Sequence, residues 1–97
     1  MEHCIKVGTI KGRHEMPVND YLVEKVDNPT DIATIEKEVN ESFEKLIDKD
    51  TRRCYLFTTG LTSVALAAVK WCFRHKIEVI AMHYDMKSGL YFAQRVL

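Results

Sequence analysis

The sequence predicts an α/β fold, more closely an α+β mixed sheet in the order ββαβαββ, with a Rossmann-like strand-helix-strand core and a C-terminal hairpin. Three observations predict it. A short apolar run at residues 54–58 leads through Gly60 into a helix-length apolar segment at residues 61–75. An earlier stretch repeats its apolar residues at helical steps, and strand-length alternation occupies both ends of the chain. With 97 residues and 46% hydrophobic content, one domain spanning 1–97 is expected.

Residues 3–11 put Ile5, Val7 and, with slippage at Gly8 and Thr9, Ile10 in a β-type pattern, the first strand. A polar loop, Gly12-Arg13-His14-Glu15, runs to a stop at Pro17. Residues 20–26 alternate again, with Tyr21, Val23 and Lys25 on one face, and are expected to form a hairpin with the first strand. Asn28 as cap, Pro29 at the first helical position and Asp31 in the first turn mark a helix start. Ile32, Ile35, Val39, Phe43, Leu46 and Ile47 then form one buried stripe among charged residues.

Residues 48–53 end that helix. The nearly continuous run Cys54-Tyr55-Leu56-Phe57-Thr58 suits a central strand covered on both faces. The helix after it is apolar almost all round, with Lys70, Arg74 and His75 as polar exceptions, so it should be the more buried of the two. Residues 77–84 form a strand parallel to its predecessor through a right-handed crossover. Residues 85–89 turn the chain, and residues 90–96 pair back as the last strand.

Formal charge is zero, with 14 basic and 14 acidic residues, which removes the basic footprint on which binding to duplex nucleic acid relies. A small anionic ligand held by a few placed groups is still compatible. Cys4, Cys54 and Cys72 are odd in number and set in apolar runs, as buried thiols in a reducing compartment would be. The start lacks a secretory pattern, and no apolar run approaches the roughly 18–20 residues of a membrane span. A cytoplasmic protein without a membrane partner is expected.

Two places can carry chemistry. Thr59, Gly60, Leu61, Thr62 and Ser63 form a turn at a helix N-terminus, where backbone amides and the helix dipole favour an anion. A plainer alternative is that Thr62 or Ser63 caps the helix and Gly60 merely turns the chain. The second place is His83-Tyr84-Asp85 at the carboxyl end of a parallel strand, where ligands gather in open α/β sheets. His83 and Asp85 share a side by parity, so they can act on one ligand or share a metal, and they are the candidate catalytic pair. Here the plainer alternative makes Asp85 a turn-former and His83 a sheet residue. Arg13 and His14 could clamp a phosphate, Gln94 and Arg95 could add contacts, and Tyr84 could stack on a base.

A strand, Thr59-Gly60-Leu61-Thr62, a buried helix, a second strand, Tyr84-Asp85, Gly89 and Gln94 together resemble the small stand-alone proteins of type III CRISPR systems. Those proteins are distant relatives of the CRISPR-associated Rossmann fold (CARF) group, and the resemblance covers residues 54–94. It implies a symmetric homo-oligomer that binds a cyclic oligonucleotide messenger between its subunits, in a bacterial, archaeal or phage-infected cell. Such a protein would sequester the messenger or cleave it slowly, as an off-switch or antagonist of nucleotide-signalled antiviral defence. Some members are metal-dependent ring nucleases. By resemblance Asp85 matches their metal-site aspartate and a slightly displaced His75 its histidine partner, with manganese as the metal and none needed for binding. The competing class is an interaction module that oligomerises through a sheet edge and takes no ligand.

Overall fold

The computed structural model describes residues 3–11 and 16–97. The elements are β1 (Cys4–Ile10), β2 (Asp20–Val23), α1 (Ile32–Leu46), β3 (Arg53–Phe57), α2 (Thr62–Arg74), β4 (Glu78–Asp85) and β5 (Leu90–Arg95). They build a five-stranded mixed sheet in the order β2-β1-β3-β4-β5, parallel except for the antiparallel β4–β5 pair. The expected α/β class and element order are those of the molecule.

The expected hairpin between the first two strands does not form. β2 runs parallel to β1, with Val7 beside Asp20 and Ile10 beside Val23. β2 therefore begins beside the middle of β1, and Met16, four residues before it, is buried. A Cβ on Gly8 would lie 2.6 Å from the Tyr21 ring and 2.8 Å from Cε of Met16. The glycine that blurs the alternation of the first strand is thus what lets both side chains lie on the sheet. β2 also stops at Val23, because residues 24–26 leave the sheet toward α1.

Helix α1 starts later than the sequence suggests. Asn28 uses its side-chain oxygen on the amide and hydroxyl of Thr30, closing a turn that contains Pro29. Asp31 is the cap instead: one carboxylate oxygen accepts from the Thr34 amide at 3.2 Å and the other from its hydroxyl at 2.8 Å. Ile32 consequently falls outside the buried stripe at 47% exposure, while Ile35, Val39 and Phe43 are fully covered.

Both helices lie on one sheet face. Phe43 stacks on Trp71 with ring centroids 4.6 Å apart and planes 10° apart, over Val7, Leu56 and Val79. α2 buries more residues than α1, as expected, but it is not covered all round: Leu66 is 64% and Phe73 70% exposed. The opposite sheet face carries no helix among the described residues, so β3 has a helix on one side only. By alternation Tyr55, Ile80 and Met82 lie on that open face and are only partly buried. Arg53 and Arg95 close on Glu78 from either side at 3.0 Å. Among the described residues no helix is long and apolar enough to cross a membrane.

The covered face makes a prediction. Phe43→Ala removes a ring that is 0% exposed, and should lower unfolding free energy by about 3–5 kcal/mol in urea titrations. Leu66→Ala, on the solvent side of α2, should stay within about 0.5 kcal/mol of the parent.

Candidate functional site

β3 ends at Phe57, and the chain turns through Thr58, Thr59 and Gly60 before α2 begins. Gly60 has φ 65, a conformation that costs glycine little and other residues more. The turn is held from an unexpected quarter: the Thr9 hydroxyl, fully buried at the end of β1, donates to the Thr59 carbonyl at 3.1 Å and accepts from the Thr59 amide at 3.1 Å. Sequence reading passes over Thr9 as an irregularity. Its one available signal is a hydroxyl where a core-facing strand residue belongs.

Leu61 is the N-cap of α2, no side chain among the described residues makes a capping hydrogen bond, and no acidic residue stands in its first turn. Thr62 and Ser63 therefore do not cap the helix. The Ser63 hydroxyl is buried and makes no hydrogen bond among the described residues. The Val64 amide turns onto the Leu61 carbonyl at 3.2 Å, so among the described residues it is the Thr62 and Ser63 amides that stand at the positive end of the dipole, the combination that favours an anion.

β4 brings His83 beside this turn. Its Nδ1 lies 3.3 Å from the Thr58 hydroxyl and its Nε2 lies 2.8 Å from the amide oxygen of Gln94 on β5. The amide oxygen facing Nε2 assigns the ring proton there and leaves Nδ1 an acceptor, which competes with the Met82 carbonyl, 3.4 Å away, for the one Thr58 hydroxyl proton. Phe92 packs against the imidazole at 5.2 Å, and Tyr84 against Tyr91 at 5.3 Å. Thr58, Thr59, Gly60, Leu61 and Thr62 from one side, and His83 and Tyr84 from the other, line an open cavity of about 470 Å³. Ala65 and Met86 complete the lining, and neither is marked by anything in the sequence.

The remaining candidates fall elsewhere. β4 persists to Asp85, yet the carboxylate turns into its own hairpin: it accepts from the Lys87 amide at 3.2 Å, and the Ser88 hydroxyl and that amide hold its pKa below the usual aspartate value. His75 sits past the far end of α2, stacked on Trp71 at 3.8 Å with Nδ1 2.8 Å from the Trp71 carbonyl. A helix of that length separates it from the turn by about 20 Å, so Asp85 and His75 do not fit a shared manganese ion. Among the described residues no group of three or more His, Cys, Asp or Glu side chains could hold a metal. Arg13 and His14 lie outside the described residues.

Cys4 is exposed, contrary to expectation, while Cys54 and Cys72 are buried. The Cys72 thiol and burial push Cys54 far up, which keeps it a thiol and not a nucleophile. Comparisons with protein-family models, curated proteins and solved structures find no match.

The Asp85 contacts give a pH test. Its depressed pKa contributes stability that is complete above the ordinary value of 3.8 and is lost as pH falls through the lower folded value. Asp85→Asn should therefore have a lower Tm than the parent at pH 7. The two melting curves should converge as the pH is taken below 3.8 and the parent carboxylate protonates.

Proposed function

We propose that the chain binds a cyclic nucleotide or cyclic oligonucleotide messenger between subunits of a symmetric oligomer and holds it out of circulation. The observation that carries this reading is that the uncapped N-terminus of α2 and the imidazole of His83 face one cavity. A phosphate fits against the first amides of α2, with the hydroxyls of Thr59 and Thr62 at its flanks. The half-exposed ring of Tyr84 offers a base a stacking surface at the rim.

At about 470 Å³ the cavity is within the ordinary range for small ligands. Being open, it suits one part of a ring better than a whole ring. Enclosure of the rest would fall to a second subunit.

Sequestration is the form the side chains favour. Both ring nitrogens of His83 are engaged, and Asp85 is held in its turn, so neither stands ready as a general base. An interaction module without ligand is the competing reading, and the apolar strand β5 is the feature that speaks for it.

Thermal unfolding against a panel of cyclic di-, tri- and tetranucleotides and cyclic ADP-ribose variants tests the reading. At least one compound should raise Tm, consistent with about 2.7 kcal/mol of stabilisation at a hundredfold excess over Kd. His83→Ala should weaken that compound at least tenfold by calorimetry. A panel that leaves Tm unchanged defeats the proposal. Recovery of the ring intact after hours with the protein, with and without manganese, supports sequestration; linear products that disappear in His83→Ala would establish slow cleavage instead.

A further inference from the structure

Strand β5 ends the sheet with six residues, Leu-Tyr-Phe-Ala-Gln-Arg, of which Arg95 alone is charged. Edges of this kind are ordinarily shortened, bulged, or marked with lysine or proline, because their open amides recruit other strands. The opposite edge follows that rule: β2 has four residues and opens on Asp20. β5 does not follow it, and Leu90 is 66% and Phe92 55% exposed.

The backbone fixes which groups β5 offers. In β4, the Val79 carbonyl accepts from the Val96 amide, and the Asp85 carbonyl accepts from the Gly89 amide. The Met82 carbonyl points the other way and accepts from the Thr58 amide of the β3 side. By alternation Ala81, His83 and Asp85 point at β5, and their partners Gln94, Phe92 and Leu90 point back. The amides and carbonyls of Tyr91, Ala93 and Arg95 therefore face outward.

We infer that a second copy of this chain covers that edge, the two β5 strands pairing antiparallel about a two-fold axis at Ala93 into one ten-stranded sheet. In this register Ala93 faces its own counterpart, so the smallest side chain of the strand stands at the axis. Tyr91 opposes Arg95, Phe92 opposes Gln94, and Leu90 opposes Val96 beyond them. No like charges meet, and a guanidinium stands beside an aromatic ring. Every outward group of Tyr91, Ala93 and Arg95 finds a partner, and both copies present the same surface, as a two-fold interface requires.

A foreign strand could use the same backbone groups, but the side-chain pairing favours self. Phe92 and Gln94 also touch His83 in their own chain. Pairing therefore sets the two His83 residues on one continuous sheet, their Cα atoms about 16 Å apart, three strand spacings across and two residues along. The inference stands on the edge itself and holds with or without a nucleotide ligand.

Light scattering on nucleotide-free protein tests it. The expected mass is twice the 11.3 kDa of one chain. Ala93→Pro removes an outward amide that no described strand of its own chain uses, and Phe92→Lys places a charge on the edge. Both should give folded monomers with helical and sheet circular dichroism preserved. In a Cys4→Ser background, Ala93→Cys should cross-link to itself under mild oxidation, since directly opposed Cα atoms lie about 5.5 Å apart. Leu90→Cys, about 20 Å from its counterpart in this register, should not.

A monomeric parent, as expected if the edge serves a foreign strand, overturns the inference. So does a dimer that both edge variants leave intact, or cross-linking at Leu90 as ready as at Ala93. A dimer that no cyclic nucleotide stabilises defeats the nucleotide reading alone, and a monomer that one does stabilise defeats the edge pairing alone.

Discussion

Phe43 and Trp71 meet at 4.6 Å with their planes 10° apart, and solvent reaches almost none of either ring. They belong to two successive crossovers, β2-α1-β3 and β3-α2-β4, whose helices lie side by side on one sheet face. The contact decides how α2 is placed. With Trp71 fixed against α1, the axis of α2 is fixed too, and its first turn is held over the carboxyl ends of β3 and β4. Together with Val64, Ala67, Ala68 and Cys72, buried in the same core, that anchor sets the direction in which α2 aims its dipole.

The legible parts of the fold were those set by local pattern. Ile35, Val39 and Phe43 announce α1 by spacing, and Gly60 announces the turn because a positive φ there calls for glycine. Less legible were features decided by competition. Asn28 and Asp31 are both good caps, and only the three-dimensional turn shows Asn28 engaged by Thr30, leaving Asp31 to start the helix. A loop ending in proline between two strand-like segments reads as a hairpin. That β2 instead runs parallel to β1 goes with the packing of Met16 and Tyr21 over Gly8, to which no periodicity refers.

The candidate site divides in the same way. The turn and His83 could be found from their positions at the ends of parallel strands, and Gln94 lay within reach by pairing. Asp85 looked equivalent to His83 by parity, but a side chain at a strand end answers first to the hairpin it begins, and its carboxylate does so. The zero net charge takes on meaning here. Among the described residues no lysine or arginine lines the cavity, so what these residues offer an anion is backbone amides, whose direction is set by the fold and not by rotamers.

Thr9 has a consequence in time. Its hydroxyl grips the backbone of Thr59 across fifty positions of sequence, from a strand buried between β2 and β3. A surface turn ordinarily rearranges on its own, in nanoseconds to microseconds. This one has to break both hydrogen bonds to the Thr9 hydroxyl before it can swing away, a local hold of about 1–3 kcal/mol. A ligand would meet a surface already ordered, with little conformational freedom left to surrender on association.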